Sequence, residues 1–165
     1  MTSDRQLPID YIARTRAQYD ALGHPSYRWV ENKEASAWVP LRRPLSESRL
    51  ALVASGGVYR AGQIAFHHRD DSSLRAIESD VPLSELRTSH FAYDQTAARA
   101  DPNVVFPVDP LRRSVEAGRL GSLGRHAYTC MGGIYSARRV REELAPEIAR
   151  RIREDEVDLV LLVPV

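Results

Sequence analysis

Two residue types are nearly missing from this sequence: cysteine occurs once, at Cys130, and lysine once, at Lys33. A lone cysteine excludes any disulfide within the chain, which fits a reducing compartment. There is no excess of either charge, with 23 basic against 22 acidic residues and a formal net charge of +1, and no nucleic-acid-binding signature accompanies it. Long apolar runs are missing too. The longest, ending at Val165, falls short of the roughly 18–20 residues that a membrane helix needs. The first ten residues lack the basic-then-apolar order of a signal peptide. Internal repeats and low-complexity tracts are also absent. These absences point to a cytoplasmic protein that binds neither nucleic acid nor membrane. What remains is ordinary: 43% hydrophobic and 27% charged over 165 residues, enough for one folded domain with a sizeable core.

Apolar spacing divides the chain. Ile9, Ile12, Ala13 and Ala17 share one helical face, and Gly23 is a natural C′ residue, so a short amphipathic helix is expected there. From His24 to Pro44 the chain reads as an irregular arm carrying Tyr27, Trp29 and Trp38, aromatics that either pin the arm to a core or present a binding surface. Residues 1–45 are therefore expected to pack as helix and arm on a domain formed by residues 46–165. In that domain Leu50–Ala54 reads as a strand, residues 60–84 as a polar excursion, Leu86–Phe91 as a second strand and Val104–Phe106 as a very short third one. Asp109-Pro110 opens a helix that Gly118 closes. His126–Met131 reads as another strand. Ser136 can cap a longer helix whose Val140, Leu144, Ile148 and Ile152 form a buried stripe, with arginines on the solvated side and a kink or break at Pro146. The segment from Asp158 to Val165 is almost uniformly apolar, the pattern of a strand buried on both faces of a parallel sheet. The order of elements predicts an α/β fold, a three-layer sandwich with a mainly parallel central sheet and right-handed crossovers.

Two strand-to-glycine turns carry the chemistry that can be read locally: Ser55-Gly56-Gly57-Val58-Tyr59 and Met131-Gly132-Gly133-Ile134-Tyr135-Ser136. Ligands of parallel sheets bind at the carboxyl ends of strands, glycine admits close backbone approach, and a following helix offers free N–H groups to an anion. Tight-turn geometry alone would also explain both glycine pairs, and neither turn matches a dinucleotide or phosphate-loop fingerprint. His67-His68-Arg69-Asp70-Asp71 reads as a solvated loop or a weak set of metal ligands. His90 and Asp94 read as a packed histidine near a loop, as a proton-transfer pair or as a second set of metal ligands. Cys130, in an apolar strand, reads as a small core residue, with a nucleophilic role the less favoured alternative.

In chain order, the stretches LALVASGGVYRAGQ (50–63), SDVPLSELRTSHFAYD (79–94), DPNVVFPVDPLR (101–112), GRLGSLGRHAYTCMGGIYSARRVREEL (118–144) and VDLVLLVPV (157–165) resemble the selenoprotein B family. That family holds the substrate-activating subunits of glycine, sarcosine, betaine and D-proline reductases, together with shorter relatives, which this chain resembles most. The resemblance implies a reductase that cleaves a C–N or related C–heteroatom bond of a small carboxylate-bearing substrate, with a disulfide as acceptor. It implies a selenocysteine or cysteine directly after the strand ending at Val165, and a second cysteine a few residues on. No further cofactor and no metal are expected. A pyruvoyl-type subunit or a thiol-donor protein is the expected partner.

The expectation is therefore that this chain stops at a UGA codon just before its nucleophile; a true stop that leaves a non-catalytic remnant is the rival. Ser55, Gly56, Gly57, Tyr59, Gly132, Gly133 and Ser136 are the expected substrate-binding residues. With its last strand uncovered, the chain should be marginal alone and should self-associate or need a partner. The alternatives are a non-catalytic α/β module that binds a nucleotide or small anion through its glycine turns, and a thiol enzyme that uses Cys130.

Overall fold

The structure is a computed structural model that describes residues 10–36 and 38–165. They form two compact units, one up to residue 37 and one from Trp38 onward, each described by itself.

In the first unit, helix α1 spans Tyr11–Ala21. Asp10 caps it, its carboxylate accepting the Ala13 amide at 2.9 Å. Gly23 follows the cap at φ +69°, the left-handed turn that glycine makes without strain. The expected amphipathic burial is not seen: α1 buries none of its residues, and Ile9 lies outside the described ones. The aromatics instead pack on one another. Tyr27 and Trp29 meet edge to face at 4.7 Å between centroids, and they reach Tyr19 and Tyr11, each at 5.8 Å.

The second unit is built on strand β1, Arg49–Ala54. Three strands run parallel to it: β5 (Ser122–Leu123) and β6 (His126–Thr129) follow one another along one edge, and β7 (Leu159–Val163) takes the other. Asp158 sets the register of β7. Its carboxylate accepts the Arg49 amide at 2.8 Å, while its own amide donates to the Arg49 carbonyl at 2.9 Å. Strand β3 (Arg75–Glu78) adds antiparallel to β6. A separate two-stranded ribbon pairs β2 (Val58–Arg60) with β4 (Leu86–Thr88).

Helices α2 (Thr96–Ala100) and α3 (Val108–Glu116) lie with this ribbon over one sheet face. There Leu52, Ala54, Ile77 and Ala127 pack with Val58, Leu86, Ala98, Phe106 and Val108. The opposite face of β6 carries Tyr128, whose hydroxyl lies 3.4 Å from Asp155 at the end of α5 (Ala145–Glu154). The result is the three-layer α/β arrangement with a mainly parallel sheet.

Several local expectations need correcting. The stretch 60–84 is not wholly irregular: β3 lies inside it, tied down by the Gln63 side chain on the Ala76 carbonyl at 2.8 Å and by the Arg75 guanidinium 4.4 Å over the ring of buried Phe66. Val104–Phe106 is not a strand. A 3₁₀ turn over Pro102–Val104, capped by Asp101 on the Asn103 amide, tucks Val105 and Phe106 into the core. Helix α3 begins at Val108 rather than at Asp109, with Asp109 in its first turn.

Ser136 does cap a helix: its hydroxyl accepts the Arg139 amide at 3.3 Å, and α4 (Ala137–Arg139) follows. The helix does not break at the proline, but its α-helical pattern gives way just before it. A π-turn over Val140–Leu144 widens the backbone just before α5, and Pro146, which has no N–H to donate, falls in the first turn of α5. Strand β7 is not covered on both faces, because Val160, Leu161 and Leu162 are all exposed. No described helix is long and apolar enough to cross a membrane.

Candidate functional site at the strand ends

Strands β1, β6 and β7 deliver their carboxyl ends to one place. The Ser55 amide donates to the Val163 carbonyl at 3.0 Å, and the Val165 amide donates back to the Ser55 hydroxyl at 3.0 Å. From the other side, the Cys130 amide bonds the Ala54 carbonyl at 3.0 Å, and the Gly57 amide bonds the Cys130 carbonyl at 3.1 Å. The two glycine turns are thus laced together, with Gly56 bridged to Met131.

Their glycines are required for different reasons. Gly57 sits at φ +65°, and a Cβ there would collide with the Ser89 carbonyl oxygen. At Gly132 a Cβ would stand 2.7 Å from the Val165 carbonyl oxygen and 3.3 Å from His90 Nε2. At Gly133 it would strike the Phe91 ring, so a steric wall and not a positive φ constrains that position.

The loop after β4 closes over these turns. His90 is buried, flanked by the Phe91 ring stacked at 5.6 Å and by the Tyr93 ring at 4.7 Å. Its Nδ1 accepts the Ala92 amide at 3.0 Å. Its Nε2 lies 3.3 Å from the Gly132 amide nitrogen. Burial pushes the imidazole below its usual value of 6.5, opposed by the nearby Ser55 backbone. Tyr93 donates its hydroxyl to the Gly56 carbonyl at 2.8 Å, and its phenol is pushed up, again by burial. The Asp94 carboxylate is taken by the amide and hydroxyl of Thr96, at 2.9 and 2.6 Å, so it orders the start of α2 and is not the hydrogen-bond partner of His90.

Of the residues singled out from sequence, Ser55, Gly56, Gly57, Gly132 and Gly133 come together here. Cys130 sits among them but is buried, and burial pushes its thiol up to about 11, which disfavours the thiolate that a nucleophile needs. Tyr59 and Ser136 stand elsewhere. Tyr59, opposite Arg87 on the ribbon, lines a cavity of about 330 Å³ with Arg99, Thr88 and Pro102. The amides of Tyr135 and Ser136 are already engaged, donating to the Asp70 carboxylate at 2.7 and 3.1 Å. The helix start after Gly133 thus holds an anion supplied by the chain itself, and Arg139 secures it by donating to the Asp70 carbonyl at 3.1 Å.

His67 and Asp71 bond within their own exposed loop. Among the described residues no group of three or more His, Cys, Asp or Glu is placed to hold a metal. Sequence reasoning undervalued His90, because its partners are backbone groups that leave no side-chain pattern.

Comparison with known proteins then decides the family. The model of the glycine/sarcosine/betaine reductase selenoprotein B family matches residues 30–165. The chain belongs to that family. The D-proline reductase subunit gamma of Acetoanaerobium sticklandii is 34% identical over 125 residues, which are 76% of this chain and 52% of that protein. The glycine reductase complex component B subunit gamma of Symbiobacterium thermophilum is 33% identical over 130 residues, 74% of this chain and 30% of that protein. The betaine reductase complex component B subunit beta of Peptoclostridium acidaminophilum is 29% identical over 130 residues, 73% of this chain and 28% of that protein. The chain thus spans about half, or less, of the length of these relatives. No solved structure matches it.

Proposed function

We propose that this chain forms the substrate-activating part of a cytoplasmic, selenol- or thiol-dependent reductase that cleaves a C–N or related C–heteroatom bond in a small carboxylate-bearing compound. The observation that carries this reading is the family match over residues 30–165, falling on a sheet that brings Ser55, Gly56, Gly132 and Val165 to one point. The selenocysteine or cysteine expected directly after Val165 would supply the nucleophile and, with a second cysteine, close a selenenylsulfide or disulfide that a thiol donor reduces.

The chain's own residues would build the setting. The Ser55 hydroxyl holds the end of β7 through the Val165 amide. Gly132, without a side chain, leaves room where the β7 end approaches. The aromatic loop over residues 90–93 packs beside the strand ends, with the Tyr93 hydroxyl on the Gly56 carbonyl and the Phe91 ring against Gly133. Small polar groups at the carboxyl ends of parallel strands are where this class of sheet binds ligands. The proposed partners are a pyruvoyl-type subunit, a thiol-donor protein or further copies of the chain.

The test begins with the nucleotides after the Val165 codon. The reading expects UGA and an open frame encoding a cysteine shortly beyond; UAA, UAG or no further frame overturns the placement of the nucleophile. The protein expressed from the whole frame, with its partner subunits and a dithiol as reductant, should then consume glycine, sarcosine or betaine with release of ammonia or the amine, or D-proline with opening of its ring, as the dithiol is oxidised. No turnover of any of the four overturns the reductase reading.

A further inference from the structure

We propose that the cavity where helix α2 meets the β2–β4 ribbon binds a small organic carboxylate. Arg87, Arg99 and the Thr88 hydroxyl take the carboxylate, and Leu86, Ala98 and Pro102 take a short apolar body. The site is independent of the reductase reading, whose failure would leave it standing.

Short elements build the place. Tyr59 and Arg87 are cross-strand partners, so their side chains leave the ribbon on the same face. Arg99 comes from α2, and Pro102 opens the 3₁₀ turn after it. Together with Thr88 they border about 330 Å³. That is the small end of the roughly 300–1,000 Å³ usual for ligand pockets, room for a few carbons rather than a nucleotide. Leu86 and Ala98 belong to the core cluster, so the surface they show the cavity is an apolar floor.

The charge of this cavity is unmatched. No acidic side chain lines it. Among the described residues neither Arg87 nor Arg99 is ion-paired, whereas Arg60, beside Tyr59 on the ribbon, holds both Glu78 and Glu85. Asp94 and Asp101, the acids nearest Arg99 in the sequence, give their carboxylates to the Thr96 and Asn103 amides. Arg87 is nonetheless fixed in place: one terminal nitrogen donates to the carbonyls of Ser84 and Leu86, each at 2.7 Å. Arg99 reaches the neutral Gln95 side chain, at 3.5 Å.

The second observation is a hydroxyl. That of Thr88 is buried without a partner, one of two such side-chain atoms among the described residues. An unpaired buried hydroxyl is costly, and native structures nearly always supply its partner from protein, water or ligand. A carboxylate oxygen supplies it here, and the guanidiniums match its charge with the planar fork that arginine offers. A bare inorganic anion would leave the apolar floor facing water, while a few methylenes cover it.

Butyrate, its neutral analogue butyramide and inorganic phosphate test this on the protein expressed from its whole frame. Butyrate should shift the amide NMR signals of Tyr59, Thr88 and Arg99 saturably, with half-saturation at about 1–10 mM. Butyramide and phosphate should bind at least about tenfold more weakly. Arg87→Gln and Arg99→Gln should each weaken butyrate about tenfold. Thr88→Val keeps the branched shape and removes the hydroxyl. Without ligand it should melt about 2–4 °C above the parent, while its affinity for butyrate falls about threefold or more.

No saturable shift up to about 50 mM butyrate overturns the site. Equal binding of butyramide, or butyrate binding that survives both arginine variants, overturns the role given to charge. Phosphate binding tighter than butyrate overturns the ligand class. Unaltered butyrate affinity in Thr88→Val overturns the part given to the hydroxyl. If one arginine variant fails to fold, the other and the butyramide comparison decide.

Discussion

Strands β1 and β7 are paired residue for residue over five positions, where β1 supplies leucine, valine and alanine and β7 leucine and valine. Yet Leu52 and Ala54 of β1 are 3% and 0% exposed, while Leu161 and Leu162 of β7 are 36% and 68% exposed. β1 has a strand on each side and cover on both faces. Among the described residues β7 has a neighbour on one side only, and Val163 is its one residue packed against the core cluster. Apolar sequence therefore states what a strand requires, and the chain's described residues meet that requirement for one of these strands and not the other. Each large side chain left in water forgoes roughly 1.5–3 kcal/mol of burial, against a typical total stability of about 5–15 kcal/mol.

The largest test of this contrast is a pair of truncations. Leu52→Ala should cost about 2–5 kcal/mol in a denaturant melt. Leu162→Ala should stay within about 0.5 kcal/mol of the parent. Equal losses would mean that β7 is covered in solution and would end the comparison.

The turn closing β1 should tolerate change almost as poorly as the strand itself. Gly57→Ala forces a side chain into a left-handed backbone against the Ser89 carbonyl, and should cost at least about 1–2 kcal/mol. Gly62→Ala, also at positive φ but with open space around it, should cost less, which separates the collision from the backbone term.

Next comes Cys130, at the far end of the neighbouring strand. With its thiol raised from 9.0 to about 11, alkylation by iodoacetamide at pH 8 should run about 100-fold slower in the native protein than in urea. Rapid native labelling would place Cys130 at the surface and revive it as a nucleophile.

The smallest effect is a pH slope. The folded state holds His90 below its unfolded value of 6.5, so the unfolded chain binds more protons as pH falls. The stability from this neutral histidine is complete above about 6.5 and is lost as pH drops through the folded value. Melts from pH 7.5 to 5 should show this loss in the parent and a shallower slope in His90→Gln; identical slopes would remove His90 from the balance.

Much of the sheet was legible because its signals are local. β1, β6 and β7 are apolar runs closed by glycine or flanked by acidic residues, and Gly23, Gly118 and Ser136 mark helix ends in the places the chain uses them. β3 was hidden because Arg75–Glu78 is charged at both ends and only Ile77 is deeply buried, so its strand character comes from pairing with β6. Of the ribbon, β4 was read as a strand, but as running on to Phe91 rather than ending at Thr88, and β2 is three residues long, too short for any period to show. At the site, the glycine turns could be picked out by composition. The carboxylate that fills the helix start after Gly133 could not, since Asp70 lies 66 residues before Ser136 and is brought there only by the fold. Nor could the surroundings of His90: Asp94 is the side-chain partner its neighbourhood suggests, while its ring nitrogens meet the Ala92 and Gly132 amides, at 3.0 and 3.3 Å.

The π-turn at Val140–Leu144 also solves a problem of phase. Val140, Leu144, Ile148 and Ile152 recur every four residues, but an α-helix closes a turn in 3.6. Three such steps on an unbroken α-helix would carry the row about 120° around the axis, so that it could not face one sheet from end to end. A turn closed by i→i+5 bonds takes more residues to come round, and it rotates the row back where the drift would begin. All four side chains are then half-buried or buried, while Arg138, Arg141, Arg150 and Arg153 remain exposed. The underwound turn thus works as a vernier, keeping a row with a sequence period of four within a narrower arc of a cylinder whose own period is shorter.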